Sequence, residues 1–262
     1  MSTIPTHSLL YKAIGQTPLE CVELWRQTQP ELKSIPLAYA GRLDPMAEGM
    51  LLVLIGDECK KQTAYHNLDK EYEFEILFGA HSDSGDVLGL ITENEKRIVT
   101  DNEIKNILEK LIGTIELPYP IFSAKTVKGK PLHTWTMERR LHEITIPKRK
   151  SEIFSLELIS TKTLSRSEIA KISLEKIETI PPVTDIRKAL GNDFRRPEIR
   201  QSWKVFSESG LIEDKFTIAK IRCHSSSGTY MRTLAEIIAE KVNSQGLAFS
   251  IKRTRIGKYK IT

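Results

Sequence analysis

The sequence is poor in residues that build cross-links. Three cysteines, Cys21, Cys59 and Cys223, occur in 262 residues, without a CxxC pair and with one left over from any disulfide. That excludes a disulfide scaffold and points to a reducing compartment. The six histidines have no metal-ligand spacing, and the neighbours Cys223 and His224 lack matching partners, so no metal is expected. No apolar run approaches the ~20 residues of a membrane span. The N-terminal MSTIPTHSLLYKAIG has neither a long apolar core nor a cleavage pattern. A cytoplasmic protein without membrane contact is therefore the expectation. Internal repeats and low-complexity segments are also absent.

What remains is ordinary for a globular chain. Hydrophobic residues make up 40% and charged residues 28%, enough to bury a sizeable core in one large domain or two small ones. The formal net charge of +5 suits phosphate-rich partners, although many lysine-rich proteins bind no nucleic acid.

Residues 8–14 read as a short strand ended by Gly15. Thr17, Pro18 and Glu20 form a capping box with proline at the first helical position, and Leu19, Val22 and Trp25 give that helix an apolar face. Met50–Ile55 is a continuous apolar run whose length favours a strand over a helix turn. Residues 71–78 alternate, with Tyr72, Phe74 and Ile76 on one face. A second capping box, Thr100 to Glu103, opens a helix carrying Ile104, Ile107, Leu108 and Leu111. Prolines and a glycine between 114 and 131 predict loop and short extended pieces. Later come a helix over SRSEIAKISLEKI, a strand over Phe216–Cys223, a helix with Met231, Leu234, Ile237, Ile238 and Val242 inward, and two short strand-like pieces. Strands and helices mix without regular βαβ alternation, which predicts an α+β fold.

One segment stands out: Gly41-Arg42-Leu43-Asp44-Pro45-Met46-Ala47-Glu48-Gly49-Met50-Leu51, a loop leading into the apolar strand. Taken alone, an Asp-Pro pair most often caps a turn. The whole run, however, closely resembles the catalytic motif of TruB-type pseudouridine synthases, roughly GxLDPxAxGxL, with Gly56, Asp57 and Lys60 continuing it. Further elements follow in the family's order: Asp69-Lys70-Glu71-Tyr72, the loop Ser82 to Gly89, Phe122-Ser123-Ala124 with Gly129-Lys130, Ser226 to Thr233, and the ending Arg253-Thr254-Arg255-Ile256-Gly257. The resemblance covers about residues 8–150 and 212–262.

The resemblance implies a pseudouridine synthase fold, a mixed and largely antiparallel sheet with a cleft across one face, acting as a monomer on the T-arm of tRNA at uridine-55. Such an enzyme breaks the C1′–N1 bond of uridine, turns the base and joins C1′ to C5, so it needs no cofactor. The sugar becomes electron-poor much as in glycoside hydrolysis, where a carboxylate stabilises or attacks the centre. Asp44 matches the catalytic carboxylate, whether it bonds covalently or removes a sugar proton. Arg232 matches the guanidinium that keeps it ionised. Tyr72 matches a tyrosine that stacks on the flipped-out uracil and is a candidate for removing the C5 proton. Lys12, Tyr230, Ile251 and Arg253 match positions lining or bordering the substrate pocket.

The chain departs from the pattern in five places. Tyr39 replaces the histidine five residues before the catalytic Asp, and is expected to stack in its place against substrate. Lys12-Ala13-Ile14-Gly15 lacks the proline of K-P-x-G, and Lys125 comes one place early. The C-terminal PUA domain usual in bacterial members would follow Gly257, and the sequence ends at Thr262. In exchange there is a basic insertion at about 160–210, with Arg187, Lys188, Arg195, Arg196, Arg200 and Lys204 and the aromatics Phe194 and Trp203. Basic and aromatic residues suit RNA contact, while a solvated helical hairpin packing on the domain explains them equally. The competing functions are a synthase acting on another RNA, and a tRNA-binding or RNA-folding protein without catalysis.

Overall fold

The computed structural model describes residues 4–93, 97–182, 193–211 and 214–260. In chain order the strands are β1 (His7–Lys12), β2 (Leu37–Tyr39), β3 (Ala47–Ile55), β4 (Lys70–Phe78), β5 (Ala80–Ser82), β6 (Ile91–Glu93), β7 (Gly113–Pro118), β8 (Thr126–Val127), β9 (Lys130–Pro131), β10 (Lys148–Ser165), β11 (Lys215–Ser225), β12 (Gly246–Ile256) and β13 (Tyr259–Lys260). The helices are α1 (Pro18–Gln27), α2 (Gln62–His66), α3 (Asp101–Lys110), α4 (Leu132–Met137), α5 (Arg166–Glu178), α6 (Arg196–Glu208) and α7 (Met231–Lys241).

Nine strands form one sheet, whose main path runs β1-β3-β12-β4-β11-β10-β7. Every pairing in it is antiparallel except β12 with β3. The expected α+β class with a largely antiparallel sheet is thus the observed one. The parallel contact places Arg253 beside Gly49. Gly49 sits at φ +109°, and a Cβ there would lie 2.3 Å from the Arg253 carbonyl oxygen, so glycine lets β12 approach the chain just past the Asp44 loop.

Side-chain alternation along the central strands feeds two of the four hydrophobic clusters among the described residues. Phe74, Ile76, Ile221, Cys223 and Ile251 face α3 and α7. Leu77, Phe216, Ile218, Leu247 and Phe249 belong to a second cluster with Ile169, Ile177, Ile199, Trp203 and Phe206 of α5 and α6. Ile76 and Leu77 are adjacent, so the clusters lie on opposite faces of the sheet. The Asp44 loop straddles them: Leu43 and Ala47 enter the first core and Met46 enters the second.

The capping boxes at Thr17 and Thr100 form as the sequence predicts, each with reciprocal side-chain and backbone bonds. One helix face differs. Pro18, Cys21 and Val22 are the buried residues of α1, and Leu19 faces solvent. The 18-residue strand β10 has no counterpart in the sequence reading; the short extended pieces expected between 114 and 131 are β7, which pairs with β10, and β8 and β9.

The stretch at 160–210 forms the end of β10 and the hairpin of α5 and α6. Trp203 is fully buried there and donates its indole N–H to the Val87 carbonyl at 2.9 Å. Arg200 pairs with Glu178 at 2.5 Å, and the buried Arg196 pairs with Asp193 and bonds the Ile180 and Pro181 carbonyls. Among the described residues, the aromatic and basic side chains expected to meet RNA are largely committed to holding this hairpin on the sheet. Arg187, Lys188 and the side chain of Phe194 lie outside the described residues. No helix among the described residues is long and apolar enough to cross a membrane.

Candidate active site

The Asp44 loop is held from below by cations that bond to backbone. Lys12, fully buried, donates to the carbonyls of Ala47 at 2.5 Å, Ala13 at 2.9 Å and Pro45 at 3.4 Å. Arg253, also buried, donates to the carbonyls of Met50 at 2.8 Å, Gly41 at 3.2 Å and Arg42 at 3.3 Å. Burial pulls the Lys12 amine down to about 8, and Cys21 and Asp44 oppose that shift. These two residues, expected to border substrate, instead fix the path of residues 41–50. A buried cation tolerates the absence of a carboxylate partner only when its donors are satisfied, and here loop carbonyls satisfy them.

Above the loop, Arg232 lies in the first turn of α7 and points its guanidinium at Asp44, Nη2 to Oδ2 at 2.9 Å. The Arg232 side chain is buried while that of Asp44 is 42% exposed, so the carboxylate faces solvent with a cation behind it. The cation at this helix start, where a positive charge is mildly unfavourable, is thus explained by its partner. Two backbone carbonyls orient the guanidinium: Ser84 accepts from Nη1 at 2.9 Å and Phe122 accepts from Nη2 at 3.3 Å. Among the described residues its buried Nε has no hydrogen-bond acceptor, and Oδ2 of Asp86 lies 3.8 Å from it.

Asp86 and Glu236 are functional neighbours that the sequence reading did not single out. Burial raises the Asp86 carboxyl pKa; Arg232 opposes the shift and Asp44 adds to it. Glu236 follows Arg232 by four residues on α7, and burial pushes its carboxyl up to about 7, again against Arg232. The (i, i+4) spacing of Arg232 and Glu236 was the available signal for one. The repeated acids of the 83–86 loop were the signal for the other.

Tyr72 projects from β4 beside the first core, half-buried. Burial raises its phenol pKa and Arg253 opposes the shift, so the phenol faces the guanidinium that holds the loop. Tyr230 immediately precedes α7 and stacks edge-to-face on Tyr119 at 5.6 Å; burial, then Asp44, raises its phenol. Ile251 pairs with Ala47 and is buried in the core beneath Leu43. Tyr39 is not brought to this group. Its ring packs on Cys21, Val22, Leu51 and Val53, and its carbonyl accepts from Gln62 at 3.0 Å.

The site therefore consists of the partly exposed Asp44 carboxylate, the buried Arg232 guanidinium behind it, and the Tyr72 and Tyr230 rings nearby. The fold has solved counterparts. The chain shares its fold with a chain of a Cbf5-Nop10-Gar1 complex, at TM-score 0.56 and 15% identity over 97% of this chain and 50% of that one. A second counterpart is an H/ACA RNP bound to a substrate RNA containing 2′-deoxyuridine, at TM-score 0.54 and 14% identity, covering 97% and 49%.

Sequence similarity is more specific than the fold. Residues 31–176 match the model of the TruB family pseudouridylate synthase N-terminal domain. The tRNA pseudouridine synthase B of Caldicellulosiruptor saccharolyticus is 32% identical over 219 residues, covering 78% of this chain and 73% of that protein. The tRNA pseudouridine synthase 4 of Saccharomyces cerevisiae is 25% identical over 249 residues, covering 86% and 61%. The chain belongs to the TruB family of pseudouridylate synthases. It spans 73% and 61% of these two relatives, and about half of each solved chain.

Proposed function

We propose that this chain is a tRNA pseudouridine synthase that isomerises the T-arm loop uridine, uridine-55, with Asp44 as its catalytic carboxylate. The observation that carries the reading is the 2.9 Å contact between Arg232 and an Asp44 held in the family's catalytic motif. The buried guanidinium pairs with the carboxylate and fixes its orientation. The glycosidic C1′–N1 bond breaks, the base turns and C1′ bonds C5. The C5 proton departs and N1 gains one, so the product is an isomer. Asp44 meets the electron-poor sugar as that bond breaks.

The remaining roles follow from placement. Tyr72 stacks on the extruded uracil, and its phenol is the candidate to take the C5 proton; burial raises that phenol and the neighbouring Arg253 guanidinium only partly opposes the rise. Tyr230 and Ile251 line the pocket. Lys12 and Arg253 act one step back, as holders of the Asp44 loop. The described residues form one catalytic domain with α5 and α6 as an inserted hairpin.

The test is to incubate the protein with a tRNA transcript and map pseudouridine by carbodiimide modification and primer extension. A single stop at the T-loop uridine is expected, with the isolated T-arm hairpin also a substrate. Stops elsewhere would reassign the target. Binding without any stop would favour the non-catalytic tRNA-binding reading.

A further inference from the structure

The proposed chemistry leaves unexplained why the inserted hairpin reaches the loops around Asp44 and Arg232. Its contacts fall on the 83–91 segment, on Phe122, on Met46 and on the turn after β1. Trp203 holds the Val87 carbonyl, and the Ser202 hydroxyl accepts from the Ile91 N–H at 2.9 Å. Met46, two residues after Asp44, packs in the same core as Ile169, Ile177 and Trp203. The end of α5 abuts the turn after β1: a Cβ on Gly15 would lie 2.4 Å from the Thr179 carbonyl oxygen, and the Gly15 N–H holds the Pro45 carbonyl at 2.9 Å.

Arg195, at the start of α6, makes the most pointed of these contacts. It donates from both terminal nitrogens to Asp83, Nη1 to Oδ2 at 2.7 Å and Nη2 to Oδ1 at 3.2 Å. Its guanidinium also stacks over the Phe122 ring, 4.5 Å from the centroid. The carbonyls that orient Arg232 belong to Ser84, next to Asp83, and to Phe122 itself. One side chain thus staples together the two loops on which the catalytic guanidinium hangs. Its backbone is in the left-handed region at φ +62°, unfavourable for a residue with a Cβ and retained where surroundings enforce it.

We infer that Arg195 is a positioning residue, acting through Asp83 and Phe122 to fix the Arg232 guanidinium against Asp44. The inference rests on the proposed synthase function for its kinetic consequence, and on geometry alone for its structural one. The Arg195–Asp83 pair is partly exposed, with side chains 19% and 34% accessible, so its loss has little effect on overall stability. A small displacement of Arg232 has a larger effect on rate, because reacting groups tolerate little misplacement.

The experiment compares wild type, Arg195→Met, Arg195→Lys, Asp83→Asn and the Arg195→Met/Asp83→Asn double variant. The readouts are kcat and KM for tRNA, the melting temperature, and the ¹⁵N resonances of the Arg232 guanidinium. The expected result for Arg195→Met is a loss of kcat of about tenfold to a hundredfold with KM within about threefold of wild type. Asp83→Asn should match it, the double variant should be no worse than either single one, and lysine should rescue only in part because it lacks the planar fork. The Arg232 resonances should shift in both single variants. Unchanged kcat, or a rise in KM alone, would overturn the inference, the latter by making Arg195 an RNA contact. Should wild type prove inactive on every RNA, the synthase reading fails. The Arg232 resonances then decide the positioning role by themselves: unmoved in Arg195→Met, they overturn it.

Discussion

The two faces of β4 use charge in opposite ways. On the outer face Glu73 pairs with Lys220 at 2.8 Å and Arg222 at 3.2 Å, and Glu75 pairs with Lys162 at 2.7 Å, all with partly exposed side chains. On the inner side, around the Asp44 loop, Lys12 and Arg253 are fully buried and bond to backbone carbonyls. Outside, cation meets carboxylate in water, each pair is weak, and the backbone does not depend on it. Inside, a cation is tied to the path of the chain itself, so the Asp44 loop has one conformation or loses its hydrogen bonds.

This contrast ranks the expected effects of mutation. Asp44→Asn should abolish pseudouridine formation, with at least about a thousandfold loss of kcat, since no other carboxylate stands in its place. Arg253→Met should lower stability by about 3 kcal/mol or more in urea unfolding, because three loop carbonyls lose charged donors. Equal stability in Arg253→Met would break the distinction between the two faces. Asp86→Asn should reduce kcat by about tenfold without a comparable loss of tRNA binding, because it removes the second acid beside Arg232.

Glu236 supplies a pH signature. Its folded carboxyl keeps a proton up to about 7, above the ordinary glutamate value of 4.5. The folded state then binds more protons than the unfolded chain, so this contribution is fully present below the ordinary value and is lost as pH rises through 7. Unfolding midpoints across that window should therefore fall in wild type relative to Glu236→Gln; parallel curves would contradict the assignment. The smallest effect should come from Glu73→Gln on the outer face: a stability change within about 1 kcal/mol and an unaltered kcat.

Local features were the legible part of this fold. The capping boxes at Thr17 and Thr100 and the alternation of β4 depend on neighbours within a few residues, and all three form as read. The pairing of Asp44 with Arg232 came from family resemblance, since no spacing rule joins residues so far apart. Burial of Lys12 was not legible, because lysine is ordinarily exposed and only the folded carbonyls around it make burial tolerable. Tyr39 was read as a substitute for a catalytic-site histidine, and α1 instead supplies an apolar surface that takes its ring. The long strand β10 was not legible because residue type does not disclose the face it takes: Phe154 and Ile159 are exposed while Ser151 is buried. The role of the insertion was ambiguous for the same reason: Arg and Trp serve RNA contact and buried staples alike, and only tertiary partners such as Asp83 and Val87 distinguish them.

The most direct test of the central claim is release of tritium from tRNA labelled at uracil C5, measured for wild type and Asp44→Asn, with tRNA binding followed in parallel. Pseudouridine formation expels the C5 hydrogen, so wild type should release the label and the variant should bind tRNA without releasing it. Equal release by the two proteins would remove Asp44 from the chemistry and contradict the account.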